Sequence, residues 1–164
     1  MLKITMGNAL QRQLEGLAQL RADLPSVIKA SLDEAGNAMV QDLASAAPRG
    51  QGSSGSSPEG DASGPLAESF NASVEDSTMT VKTTQPTKLG YVTEGTGLYG
   101  PLHQRIYPKV KKALYWEGAA HPVPSVAGME PNDFVSPITD VADEDINATV
   151  SDAIYEALQE AADY

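Results

Sequence analysis

The sequence predicts an α+β domain: N-terminal helices, an antiparallel β-sheet of about four strands joined by long loops, and a C-terminal helix packed on the sheet. Two patterns and one compositional fact lead there. Apolar residues recur at spacings of three and four near both ends of the chain, and at spacings of two between residues 70 and 83. The chain also carries 14 Gly and 11 Pro among 164 residues, which predicts generous loops.

The first helix is written in Leu10, Leu14, Leu17, Leu20 and Leu24, which stack on one helical face. Pro25 follows Asp23, a good capping residue, and the pattern resumes as Ile28, Leu32, Ala35, Met39 and Leu43 until Ala47-Pro48 closes it. A bent helix and two separate helices both satisfy that spacing. Residues 48–65 hold five Gly, five Ser and three Pro with no large apolar side chain, so they cannot bury enough surface to offset their ordering entropy. A mobile loop inside a single domain spanning 1–164 is the expectation.

Beyond it, Phe70, Ala72 and Val74 alternate with polar residues, Glu75 to Thr78 makes a turn, and Met79, Val81 and Thr83 alternate again. That is a β-hairpin. A third strand is expected over Leu89 to Thr93 and a fourth over Ala113 to Trp116, on either side of a long loop at 95–112. Ile138, Ala142, Ile146, Val150, Ile154 and Leu158 then predict the C-terminal helix, begun by Pro137 or by the acidic run Asp143, Glu144 and Asp145. The expected core is Leu32, Met39, Leu43, Val81, Tyr91, Leu114, Trp116, Val150, Ile154 and Leu158.

Composition excludes several functions. Twenty-two acids against eleven bases give a formal charge of -11, which disfavours binding nucleic acid through phosphate neutralisation. With no cysteine there is no disulfide scaffold, thiolate nucleophile or thiolate zinc site. No apolar run approaches the roughly 18 residues of a membrane span, and no apolar signal region follows Lys3.

Local motifs are weaker than they look. Gly95, Gly97 and Gly100 spell the dinucleotide fingerprint, with Glu117 at a fitting distance. Pro101 and Pro108, however, bar the helix whose N-terminus would meet the pyrophosphate. A turn is the better account. His103 and His121 would need carboxylates from elsewhere to hold a metal, and no serine lies in a nucleophile elbow. Neither a cofactor nor a catalytic site is expected.

Charge placement is sharper. Arg105, Lys109, Lys111 and Lys112 gather four of the eleven bases within eight positions, and no base follows, whereas eleven acids lie from Glu117 onward. A solvated basic loop beside a solvated acidic helix would suffice. Complementarity between neighbouring copies, the loop of one meeting Asp143, Glu144 and Asp145 of the next, is what a head-to-tail ring requires. An acidic DNA mimic that occupies a nucleic-acid-binding enzyme is the alternative of another class.

Several strings occur in an order that resembles a known family. Ala47-Pro48, then Ser63-Gly64-Pro65-Leu66-Ala67-Glu68-Ser69, is similar to a junction of the form "AP, small residue, Gly, x, Leu, x, x, Ser" with the Gly/Ser loop inserted. Tyr91 to Thr96 is similar to Y-V-E-x-G-T with the Glu one place later, and Ile106, Pro108-Lys109 and Lys112-Ala113-Leu114 are similar to I-x-P-K-x-x-K-A-L. His121-Pro122 and Phe134 complete the series. The family is the head-tail joining, or tail completion, proteins of long-tailed bacteriophages, of the minor tail protein Z type, and the resemblance covers residues 25 to 160.

It implies a structural virion protein of the phage neck, assembled in the host cytoplasm as a homo-oligomeric ring, typically of six copies. Such a ring joins the capsid connector to the tail tube, and DNA passes its lumen without specific binding. A tail terminator and a head-side stopper ring meet the same demands. The implied partners are further copies, the neighbouring neck or connector protein, and the tail tube or terminator protein; no membrane is involved. The family supplies no catalytic residues. The loop positions Gly52, Gly55 and Tyr99, with the basic and acidic residues above, become the interface candidates, since extensions that order on assembly can wrap a neighbour.

Overall fold

The computed structural model describes residues 8–48, 64–115 and 120–162, so Gly52, Gly55, Trp116 and Glu117 lie outside the described residues. The described residues contain three α-helices and a two-stranded antiparallel sheet. Helix α1 runs Asn8–Ala46, strands β1 and β2 run Phe70–Glu75 and Thr78–Thr83, α2 runs Pro86–Glu94 and α3 runs Ser136–Ala162. They fall into two compact units, one of residues 8–39, 72–81 and 141–162, the other of 40–48, 64–71, 82–115 and 120–140.

Pro25 neither ends nor splits α1, which is one helix of 39 residues. The proline removes one backbone donor, the one that would meet the Arg21 carbonyl, and the Ser26 hydroxyl donates to the Asp23 carbonyl at 2.6 Å in the same turn. In the first unit the apolar face of the helix becomes more covered from Leu10 toward Ala35. Leu10, Leu14 and Leu17 are exposed, Leu20, Leu24 and Ile28 are half-buried, and Ser31, Leu32 and Ala35 are buried.

The hairpin supplies part of that cover. A Cβ added at Gly36 would lie 2.9 Å from the Ala72 Cβ and 3.0 Å from the Met79 sulfur, so helix backbone meets sheet where only glycine fits. Asp76 and Ser77 make the two-residue turn, both at positive φ (45° and 65°), the twist that antiparallel neighbours favour. The 141–162 part of α3 contributes a half-buried face of Ala142, Ile146, Thr149, Val150, Ala153, Ile154 and Ala157. No residue of α3 is fully buried.

In the second unit Leu43, Ala47, Leu66, Val92 and Phe134 are buried. Phe134 sets its ring edge against Phe70, centroids 6.3 Å apart at 77°, a favourable aromatic geometry. Gln85, fully buried, reaches the Gly64 carbonyl through Nε2 at 3.2 Å, and the Lys88 ammonium donates to the same oxygen at 2.6 Å. Ser69 links the sheet to the turn before it, its hydroxyl donating to the Leu66 carbonyl at 2.7 Å and lying 2.7 Å from the Thr83 hydroxyl.

Two expected strands are absent from the described residues. Leu89 to Thr93 lies inside α2, opened by Pro86 in its first turn, where a missing N–H costs nothing. Helical spacing puts Val92 inside and turns Tyr91 out, 51% exposed, so the expected core position is corrected to its neighbour. In place of a fourth strand there are isolated bridges, Leu114 to Val123 and Ile106 to Val126. Of the remaining expected core, Leu32 and Leu43 are buried, Met39, Val81, Leu114, Val150 and Ile154 are half-buried, and Leu158 is exposed. Helix α3 begins at Ser136 with Pro137 in its first turn, so the acidic run 143–145 sits well inside it.

Candidate functional site: a basic arch on a glycine clasp

The 95–112 loop is tied down by backbone bonds to the segment 126–129. Thr96 N–H donates to the Met129 carbonyl at 2.9 Å, Met129 N–H returns to the Thr96 hydroxyl at 2.9 Å, and Leu98 N–H donates to the Ala127 carbonyl at 2.6 Å. The glycines make this possible. A Cβ on Gly97 would sit 2.1 Å from the Ala127 oxygen, and one on Gly128 would sit 2.0 Å from the Thr96 oxygen. Gly97 and Gly128 also hold positive φ, at 66° and 102°, where a side chain is strained. Gly100 packs against Gly95 in turn, its would-be Cβ 2.8 Å from the Gly95 oxygen.

The apparent dinucleotide fingerprint is therefore a crossing point of two backbones. Among the described residues no helix opens at it, and the amides of Thr96, Leu98 and Tyr99 are taken by backbone carbonyls.

From that clasp an arch projects. Ile106 exchanges both backbone bonds with Val126, at 2.9 and 3.0 Å, and Leu114 does so with Val123, at 2.8 and 2.9 Å. Between these bridges seven residues, 107–113, stand opposite only Pro124 and Ser125. The surplus must bulge outward. Its middle residue, Val110, is 96% exposed, with Tyr107 at 63%. Lys109, Lys111 and Lys112 are exposed around it, and the Arg105 guanidinium donates from Nε to the Ser125 hydroxyl at 2.9 Å, bracing the base.

Arg105 and Lys109 line a groove of about 440 Å³ together with Tyr91, Leu102, Ile106 and Tyr107. Lys111, Lys112 and Tyr99 are not among its lining residues; Tyr99 is exposed beside the clasp, its N–H on the Thr96 carbonyl at 3.2 Å. Asp143, Glu144 and Asp145 belong to the other unit and are exposed on α3. His103 is exposed with Nδ1 3.3 Å from the Leu98 carbonyl, and His121 is exposed. Among the described residues no group of three His, Cys, Asp or Glu could hold a metal ion, and no helix is long and apolar enough to cross a membrane.

What the sequence did not reveal is the apolar half of this site. Val110 and Tyr107 read as ordinary loop residues, and only the unequal bridge spacing shows that they protrude. The lone Gly128, opposite the glycine-rich run, was the available signal for the clasp. No family model, curated protein or solved structure matches the chain.

Proposed function

We propose that this chain is a structural virion protein of a tailed bacteriophage, a subunit of a homo-oligomeric ring in the neck that joins the capsid connector to the tail tube. The order of the strings shared with tail completion proteins supports the kind of assembly. The observation that carries assembly itself is apolar surface left in water: Leu10, Leu14 and Leu17 on α1, Leu102, Tyr107 and Val110 around the arch, and Val141, Tyr155 and Leu158 on α3. Scattered exposed apolar residues are ordinary, but runs on one helical face or one loop mark contact surfaces.

The acidic balance fits a lumen that DNA passes without sticking, since few phosphate contacts are available to hold it. The tail terminator and head-side stopper rings ask the same of a subunit as tail completion does.

Native mass spectrometry over a concentration series, with negative-stain imaging of the largest species and peptide mapping of purified virions, tests the reading. A closed ring of about six copies, with the chain present in virions, is expected. A chain absent from virions that instead binds a DNA-processing enzyme, with affinity falling steeply as salt rises, would replace this reading with the DNA-mimic one.

A further inference from the structure

We propose that the arch of one copy docks on the outer face of α3 of a second copy, Val110 seating over Ala148 between Asp145 and Asp152. This deepens the ring reading and rests on it, by naming the two surfaces that meet.

The argument starts from the helix. At 3.6 residues per turn, Val141, Glu144, Asp145, Ala148, Asp152 and Tyr155 share one stripe of α3, and all six are exposed. This stripe lies opposite the half-buried face of Ala142, Ile146, Val150, Ala153 and Ala157, so it is the side that the subunit's own fold leaves uncovered. Its chemistry is ordered: an apolar residue at each end, acids between them, and one small residue in the middle. Asp145 and Asp152 lie seven residues apart, about 10 Å along the axis, with Ala148 as a shallow seat between.

The arch carries the complement. Its exposed tip is one apolar residue, Val110, with Lys109 before it and Lys111 and Lys112 after it. An apolar knob flanked by cations meets an apolar seat flanked by anions, and a shift along the helix would bring lysine against Val141 or Tyr155. The lysines thus fix register, while removal of Val110 and Ala148 from water supplies the attraction. No Lys or Arg follows Lys112, so α3 offers an incoming arch no like charge. Because arch and stripe are different surfaces, a contact made once between two copies is head-to-tail and repeats into a ring or a filament, whereas one made twice closes a two-fold dimer.

The test uses the full chain in two charge-reversed forms, one with Lys109→Glu, Lys111→Glu and Lys112→Glu, the other with Asp145→Lys and Asp152→Lys. All five positions are exposed, and circular dichroism confirms that each form keeps the wild-type fold. Each alone is expected to lose at least about tenfold of its oligomer by native mass spectrometry, and the equimolar mixture to regain it by alternating the two forms. Ala148→Trp, which fills the seat without changing charge, is expected to dissociate the oligomer as well.

Wild-type assembly in both reversed forms overturns the contact, as does a wild-type chain that stays monomeric at every concentration. If the form carrying all five substitutions assembles but the mixture does not, the arch pairs within its own copy and the proposal fails. Rescue in the mixture by a chain absent from virions would sink the neck reading and leave the contact standing. Presence in virions with unchanged oligomers in both reversed forms would do the reverse.

Discussion

The two ends of α1 carry the same apolar spacing and have opposite surroundings. Leu10, Leu14 and Leu17 stand in water, Leu17 56% exposed, whereas Leu32, Ala35 and Leu43 are buried, Leu43 only 3% exposed. Periodicity therefore decides that a helix forms and which face is apolar, while the cover for that face is decided elsewhere in the chain. Where cover exists it is close enough to demand glycine at residue 36; where it does not, the leucines stay exposed.

The largest effect should separate those ends directly. Leu43→Ala is expected to lower stability by about 2–5 kcal/mol in urea unfolding, whereas Leu14→Ala in the monomer should stay within about 0.5 kcal/mol. Equal losses at both sites would erase the contrast. Next comes Gly36→Val, which drives a branched side chain into Ala72 and Met79 and should cost about 1–3 kcal/mol, although valine has the better helix propensity. A stabilised variant would show that the helix and hairpin can part at this point.

A smaller change of opposite sign is expected at the hairpin that provides the cover. Ser77 pays for a left-handed conformation that glycine adopts freely, so Ser77→Gly should raise stability by about 0.5–1 kcal/mol. The subtlest test is one of pH. Asp133 accepts a hydrogen bond from Ser136 N–H at 3.1 Å, and its bonds to Ser136, side chain first and backbone second, hold its carboxyl below the usual carboxylate range. A lowered folded-state pKa stabilises above the unfolded pKa and is lost as pH falls through the folded one. The gap in Tm between wild type and Asp133→Asn should accordingly be present at neutral pH and close in acid; a gap that is constant with pH would remove the carboxylate's role at the start of α3.

Helical stretches were the legible part of this sequence, because spacings of three and four survive whatever the neighbours do. Even there Pro25 was ambiguous, since a proline removes only one bond and a long helix can absorb that loss. Residues 89–93 carry two conflicting signals: Leu89, Tyr91 and Thr93 alternate as a strand does, and the helical signal is the Pro86 that precedes them. Leu114 pairs at one bridge only, because two antiparallel segments with seven residues facing two cannot continue a ladder. At the site, charge was countable in advance, and so Arg105, Lys109, Lys111 and Lys112 stood out. The protrusion of Val110 was not, since exposure depends on a partner segment about a dozen residues further on.

The meeting of Gly97 with Gly128 has an outcome for how such a protein can change. Two backbones in contact form a joint that leaves no room for a side chain on either, so the root of the arch is constrained, while the tip residues beyond it, Lys109 to Lys112, stand exposed. The arch is thereby an interchangeable cartridge. Exchanging residues 109–112 is expected to redirect the docking proposed above while changing the subunit's own unfolding curve little.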